Sequence, residues 1–421
     1  MCAVPLPDTI PCMKAALKVD VVIFGGGIAG LWTLNRLRQA GYQAILLETQ
    51  ALGAGQTLKS QGIIHGGLKY ALGGFLNAAA HAVAAMPQRW KDCLAGHGEI
   101  DLRAVQVLSQ EQLLWSTGRL GSEMAGFLAS KSLSSRVKKI DKQLYPPVLH
   151  DPSFKGQVYR LEELVLDTVS LIETLAEPHR DFIFKINAED GYVFETDPAQ
   201  PNRVVALEIR SGTECLRVEA QRYFFSAGAG NEALSRFLPQ PPPMQRRPLH
   251  MLIARWERGT QHPLFAHCID RGMNPRITIS THCSQAGDSI WYLGGQLAEE
   301  GVHRSAEQQI AAAKTELQCL FPSLDMSAVA WRSFFIDRAE PAQAGGTRPD
   351  SAFLRSIQNV CIAWPTKLAL VPLLADQWMA QLKQQGVEAS VQSVEKGAEI
   401  WASLSVLEKP KRALAPWDEL F

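Results

Sequence analysis

The stretch SQGIIHGGLKY, residues 60–70, concentrates side chains that can do chemistry. Ser60, His65, Lys69 and Tyr70 stand among glycines at 62, 66 and 67. An imidazole titrates near neutral pH and can take a proton, a lysine holds negative charge, and glycines let backbone approach a ligand. By itself the stretch reads equally well as a glycine-rich turn with incidental polar groups. The segment before it decides between the two.

That segment carries Gly25-x-Gly27-x-x-Gly30. The run VDVVIF from Val19 predicts a buried strand, GGGIAG a turn, and LWTLNRLRQA a helix with apolar residues at helical spacing. Gly41 ends that helix, and QAILLE predicts the next strand. Such a βαβ unit implies a parallel sheet. Gly25 permits the tight turn, Gly27 lets a pyrophosphate reach the backbone, and Gly30 lets helix and strand pack closely. The helix N-terminus offers N–H groups to the phosphates. Glu48, ending the second strand, is set to accept hydrogen bonds from an adenosine ribose.

After Glu48 the small, polar run TQALGAGQTLKSQG suits a long cofactor, and RYFFSAGAGNEAL (222–234) predicts a strand entering a glycine-rich turn and helix. The latter resembles the second nucleotide contact of flavoproteins with a glutathione-reductase type of FAD domain. No second G-x-G-x-x-G occurs, so no separate NAD(P)H domain is expected. FAD, rather than a nicotinamide, is the expected cofactor. Its electrons would come from substrate and leave to oxygen, a quinone or a partner protein.

The elements around these motifs divide the chain. Residues 246–256, 276–283, 289–294 and 331–336 read as strands of a mostly antiparallel sheet, LPQPPPMQ (238–245) as a stiff linker, and 366–384 as helix. The fold class expected is α/β: an FAD-binding Rossmann-like domain with an inserted, mostly antiparallel β-sheet plus helices. Its parts are an N-terminal extension (1–18), an FAD-binding domain from 19–95, 150–237 and 338–421, and a substrate-binding domain from 96–149 and 238–337. Trp32, Trp90, Trp115 and Trp401 read as packing residues.

Composition narrows the function. Lys+Arg and Asp+Glu are equal at 42 each, so no global field draws nucleic acid, and a small-molecule function follows. The eight cysteines are scattered with no C-x-x-C pair, which predicts reduced thiols in a cytoplasmic protein and no metal site. No run of about eighteen apolar residues could span a bilayer. The tail LEKPKRALAPWDELF mixes basic, aromatic and apolar residues, as a peripheral contact on the inner face of a membrane would. No oligomeric state follows from the sequence.

With these residues in hand, the chain resembles the FAD-dependent D-amino-acid-oxidase superfamily, above all flavin-linked glycerol-3-phosphate dehydrogenases and 2-hydroxyglutarate oxidases. IHGGLKY is similar to their IHGGLRY and IHAGIYY segments, with Lys69 for arginine and Tyr70 for tyrosine. PTKLALVPLLAD (365–376) is similar to the segment GGKLTTYRKLAE that closes over the flavin, with Pro365 and Thr366 for the glycines. Arg338 in IDRAEP matches an arginine that anchors an anion, and His250 matches a histidine delivered over the flavin.

The resemblance implies a path of cofactor contacts along the chain. Gly25, Gly27, Ile28, Ala29 and Gly30 would lie at the first turn, followed by Glu48 and Thr49. Thr57, Ser60, Gln61, Gly62 and Ile64 would line the wrap, with Ile186 behind it. Ala227 and Gly228 would form the second turn, and Thr366, Lys367, Leu368 and Ala369 would sit at the ring. Lys69, Tyr70, Arg338 and Lys367 would hold an anionic substrate, with His65 or His250 as the proton acceptor. FAD is expected to be non-covalent; a covalent link at His65 is the alternative, because amine dehydrogenases of the superfamily attach FAD through a WHAAG histidine. The leading expectation is oxidation of a small anionic 2-hydroxy compound by hydride transfer to flavin N5. An amine or amino-acid oxidase comes second, and a non-catalytic FAD-binding component of a complex third.

Overall fold

The computed structural model describes residues 16–66, 78–116, 137–154, 156–260, 262–269, 274–390 and 402–421. Its centre is a sheet begun by β1 (Leu17–Phe24) and β2 (Ala44–Glu48), which pair in parallel across α1 (Ile28–Gln39). Period-2 side-chain alternation gives β1 two apolar faces. Val21 and Ile23 pack toward α1, and Val22 and Phe24 toward a second core. A strand buried on both faces needs the near-continuous apolar run seen in the sequence. β12 (Glu214–Phe225) lies parallel to β1 on its other side, and β9 (Ile183–Lys185) extends the sheet beyond β2.

β10 (Tyr192–Asp197) and β11 (Gln200–Ser211) add antiparallel strands next to β12, whose C-terminal end pairs with β19 (Val360–Trp364) and, through it, β18 (Phe353–Ile357). The helix α5 (Val371–Gln384) covers the α1 side of the sheet. On the opposite face Phe24, Tyr192, Phe194, Phe225 and Phe237 form a tilted and edge-on ring cluster, a geometry favoured by the aromatic quadrupole.

The second large sheet runs in the order β17 (Ala330–Pro341), β13 (Met244–Trp256), β16 (Ser289–Gly294), β15 (Ile277–Cys283), β14 (Ala266–Ile269), β5 (Gln112–Ser116), β7 (Val158–Leu161) and β6 (Val137–Lys139). All pairs are antiparallel except β14 with β5. β7, which lies inside the 150–237 segment assigned to the cofactor half, thus joins the other sheet. The helix α4 (Ala306–Leu320), opened by a Ser305–Gln308 capping box, backs this sheet, where Trp115 and Trp291 each pack on Phe321.

A three-stranded sheet joins the halves: β3 (Ile63–Ile64) and β4 (Val107–Ser109) flank β8 (Leu164–Leu166). The helices α2 (Ala78–Leu94) and α3 (Thr168–Ala176) complete the apolar layer under α1, with Trp32 against Trp90. The C-terminal segment crosses from one half to the other. Leu52 pairs with Arg412, Trp417 is buried with its ring stacked on His282, and Phe421 lies under Arg255 and Arg332. Trp417, Leu420 and Phe421 pack with the second sheet, while Leu407 joins the core of the first and Leu414 stays exposed.

Among the described residues Cys93, Cys268, Cys283, Cys319 and Cys361 carry free thiols. Among the described residues no helix is long and apolar enough to cross a membrane.

Candidate active site

A continuous cleft of about 980 Å³ opens where the carboxyl ends of β1, β2 and β12 face the second sheet. In open α/β sheets this is where ligands bind. At its deep end the three motif glycines have separate duties. Gly25 has φ +105°, and a Cβ there would come 2.6 Å from the Ala227 Cα. A Cβ on Gly30 would run into the Gly25 carbonyl, so this glycine serves packing and does not line the cleft. A Cβ on Gly27 would meet only the Thr57 hydroxyl, at 3.2 Å, so its free side faces the cleft.

Glu48 lines the same end, its carboxylate accepting from the Gly26 N–H at 2.5 Å and the Gln50 N–H at 2.7 Å. The first turn of α1 carries no acidic residue, which leaves its N-terminal partial positive charge to a ligand. Turn, helix end and carboxylate fit a dinucleotide pyrophosphate and ribose.

The wall continues through Thr49, Thr57, Ser60, Gln61 and Gly62, with Ala227 and Gly228 opposite. Some of these side chains are already engaged. Thr57 Oγ1 accepts from the Ile28 N–H at 3.1 Å, and Ser60 Oγ donates to the Thr57 carbonyl at 2.9 Å. The Gln61 amide donates to the carbonyls of Tyr292 at 2.9 Å and Thr278 at 3.2 Å, which ties this wall to the second sheet. Ile28 and Ala29 line the cleft as well. Ile64, Ile186 and Ala369 do not line it: all three are buried in the apolar cores. Lys69 and Tyr70 lie outside the described residues.

Thr366, Lys367 and Leu368 close the cleft from the segment before α5. Thr366 has φ +61°, a left-handed conformation that a β-branched residue rarely adopts. Thr366 therefore keeps the backbone shape that glycine would give, at a strain of order 1–3 kcal/mol. Its hydroxyl donates to the Ser351 carbonyl at 2.9 Å, and Lys367 Nζ to the Asp350 carbonyl at 3.3 Å.

Arg338 enters from β17, opposite Arg247 on β13. It lines the cleft, with Nη2 3.3 Å from the Glu299 carboxylate. Burial, together with the charges of Arg247 and Arg348, lowers its guanidinium to about 10 against the pull of Glu299. It stays protonated at neutral pH, and Arg348 lines the cleft beside it.

His65 and His250 have different surroundings. His250 is buried in β13, its Nδ1 2.9 Å from the Gly301 carbonyl and its Nε2 2.9 Å from the Ser333 hydroxyl, and its ring stacks on Phe335. Both nitrogens are engaged and the residue does not line the cleft, whereas His65 does. His65 follows β3, and the β3–β8 register, Ile64 opposite Leu164, brings Glu163 across from it. Its Nδ1 is 3.1 Å from Glu163 Oε2.

Glu163 is buried, and its other oxygen accepts from the Gly66 N–H at 2.8 Å. Burial pushes this carboxyl up, but His65, His267 and the Gly66 N–H together hold it below its ordinary value. The ionised carboxylate can only accept, so the proton between the two belongs to His65 Nδ1. His267, on β14, adds its Nε2 at 4.0 Å from Glu163 Oε2. Sequence reading missed both Glu163 and His267. The one local signal was a pair of acids, Glu162 and Glu163, between two short apolar runs.

A Rossmann-type unit, a glycine turn with a carboxylate beside it and a cleft running under a mostly antiparallel sheet fit the class of FAD-dependent oxidoreductases. Comparison with known proteins specifies the family. The model of the DAO family, FAD dependent oxidoreductase, matches residues 20–362, and the chain belongs to that family. It is 45% identical over 411 residues to the probable FAD-dependent oxidoreductase PA4991 of Pseudomonas aeruginosa, covering 97% of this chain and 100% of that protein. The crystal structure of PA4991 superposes with a TM-score of 0.80 at 41% identity, over 97% of this chain and 100% of the other.

Two more distant structures share the fold. L-proline dehydrogenase from P. horikoshii has a TM-score of 0.63 at 12% identity, over 90% of this chain and 96% of that one. L-alpha-glycerophosphate oxidase from Mycoplasma pneumoniae, with FAD bound, has a TM-score of 0.62 at 12% identity, over 87% and 95%. The protein is an FAD-dependent oxidoreductase acting on a small molecule.

Proposed function

We propose that this enzyme oxidises the CH–OH group of a small anionic 2-hydroxy compound. The observation that carries this reading is the His65–Glu163 pair in the wall of the cleft that Arg338 also lines. Bound FAD supplies the two-electron acceptor for the substrate C–H bond. Every other requirement falls on the chain. An alcohol must lose its hydroxyl proton as the C–H bond breaks, and an imidazole is matched to that task at neutral pH. With Nδ1–H held by Glu163, Nε2 of His65 is the nitrogen left to take it. Glu163 orients the ring and stabilises the imidazolium without taking the proton itself, as a triad carboxylate does.

The anionic group calls for fixed cations, and Arg338, with Arg348 and Lys367 in the same wall, supports that assignment. Arg338 offers a carboxylate or phosphate the planar two-pronged geometry that a lysine lacks. The FAD contacts supported by the cleft are Gly25, Gly27, Ile28, Ala29, Glu48, Thr49, Gly62, Ala227, Gly228 and Thr366 to Leu368. The test is anaerobic mixing of the purified flavoprotein with 2-hydroxy acids, glycerol phosphates and amino acids, following the flavin absorbance. Bleaching by a hydroxy anion is the expected result. Bleaching by amino acids alone would assign CH–NH oxidation, where a neutral amine needs no hydroxyl base.

A further inference from the structure

We propose that His65, Glu163 and His267 form a binding site for a divalent transition metal of the zinc class. Three strands of two sheets bring these residues together: His65 follows β3 and Glu163 precedes β8 in the three-stranded sheet, and His267 stands in β14 of the second large sheet. One donor atom from each lies within 4.8 Å of the others. His65 Nδ1 is 3.1 Å and His267 Nε2 4.0 Å from the same carboxylate oxygen, Glu163 Oε2. A tetrahedral zinc with bonds of about 2.0–2.2 Å spaces its ligand atoms by about 3.3 Å. The widest pair, at up to 4.8 Å, would have to close by about 1.5 Å, shared between two side chains, to bring the trio around an ion.

The outer contacts of the trio are those a metal site needs. Metal-bound imidazoles usually hold their second nitrogen in a hydrogen bond, which fixes tautomer and ring orientation. His267 Nδ1 is 2.9 Å from Thr278 Oγ1, its cross-strand partner, so Nε2 is the nitrogen aimed at Glu163. The Gly66 N–H occupies Glu163 Oε1 at 2.8 Å, leaving Oε2 to the two imidazoles. All three residues line the cleft. Three protein ligands with one side toward a cavity is the arrangement of an open zinc site.

Two imidazoles and one carboxylate select zinc, cobalt or nickel over magnesium or calcium, which prefer all-oxygen shells. The ion would replace the hydrogen bond between His65 Nδ1 and Glu163. Metal loading and proton acceptance by His65 are thus alternative states of one cluster. The binding claim itself does not rest on the oxidation chemistry.

The test uses the full-length, FAD-loaded, tag-free protein, stripped of metal by chelation and then titrated calorimetrically with ZnCl2, CoCl2 or MgCl2. One equivalent of zinc and of cobalt is expected to bind, and magnesium at least 100-fold more weakly. E163Q and H267N should each weaken zinc binding at least 100-fold. T278V, which keeps all three ligands, should weaken it about tenfold through the lost orientation of His267. FAD content and thermal midpoint, measured on each variant, verify that it is folded, and T278V carries the test if the ligand variants are not. No stoichiometric zinc on the wild type, equal affinity in the variants, or magnesium binding as tight as zinc would each overturn the proposal.

Discussion

The two ends of the cleft are built differently. At the cofactor end, Gly25, Gly27, Gly30 and Glu48 come from one βαβ unit, and their positions follow from the backbone geometry of that unit alone. At the other end His65, Glu163, His267 and Arg338 come from four separate segments, brought together by strand pairing: β3 with β8, β14 with β15, and β13 with β17. Chemistry carried by a turn is written locally, whereas chemistry carried by cross-strand register is written in pairs of distant residues. The contrast can be broken or sharpened in several ways.

The largest effect is expected at the local end. Gly30→Val would drive a branched side chain into the Gly25 carbonyl, separating α1 from β1. Loss of FAD and of most soluble protein is expected, read from the ratio of flavin to protein absorbance. Retention of FAD at wild-type level would remove the close-packing role of Gly30. At the distal end, R338L should raise KM for an anionic substrate 10- to 100-fold, equivalent to about 1.5–3 kcal/mol for a charge-assisted hydrogen bond, with FAD content unchanged. R338K should recover part of that loss, because it restores charge but not the fork. Equal KM in R338L and wild type would take Arg338 out of the substrate site.

A pH effect comes next. Burial lowers His282, stacked at 4.2 Å on Trp417 of the C-terminal segment, to about 3. Its folded-state pKa lies below the unfolded value near 6.5, so the unfolded chain binds more protons between those limits. Stability from this site is complete above about pH 6.5 and is lost as pH falls toward 3. Urea unfolding at pH 7.5, 6.0 and 5.0 should show declining midpoints, and H282F should flatten the decline. An identical slope in both proteins would contradict the assignment.

The smallest effect belongs to Thr366. T366G relieves left-handed strain of about 1–3 kcal/mol but gives up about 1 kcal/mol in chain entropy and the hydroxyl bond to Ser351. Denaturant unfolding should show a change within about 1 kcal/mol. A loss well beyond that would show that Thr366 holds this turn through its side chain.

The legibility of the sequence followed the same divide. VDVVIF, the glycine turn, the helix after it and QAILLE lie where spacing and periodicity predict, since each is determined by residues a few positions apart. The strands 246–256, 289–294 and 331–336 appear within β13, β16 and β17, and 276–283 matches β15 to one residue, for the same reason. What escaped was pairing. Nothing near Glu163 announces that Ile64 will lie opposite Leu164, and nothing near His267 announces Thr278. His250 misled for the complementary reason. Its matched motif reported the strand correctly, while the partners that engage both ring nitrogens, Gly301 and Ser333, come from 51 and 83 residues away.

The central claim is that His65, held by Glu163, takes the substrate proton while Arg338 holds the anion. Anaerobic stopped-flow reduction of the flavin, comparing wild type with H65N at equal FAD content and saturating hydroxy-anion substrate, tests it most directly. Loss of a general base predicts a rate 10²- to 10⁴-fold lower in H65N, with the anion affinity little changed. Equal rates in the two proteins would contradict the account.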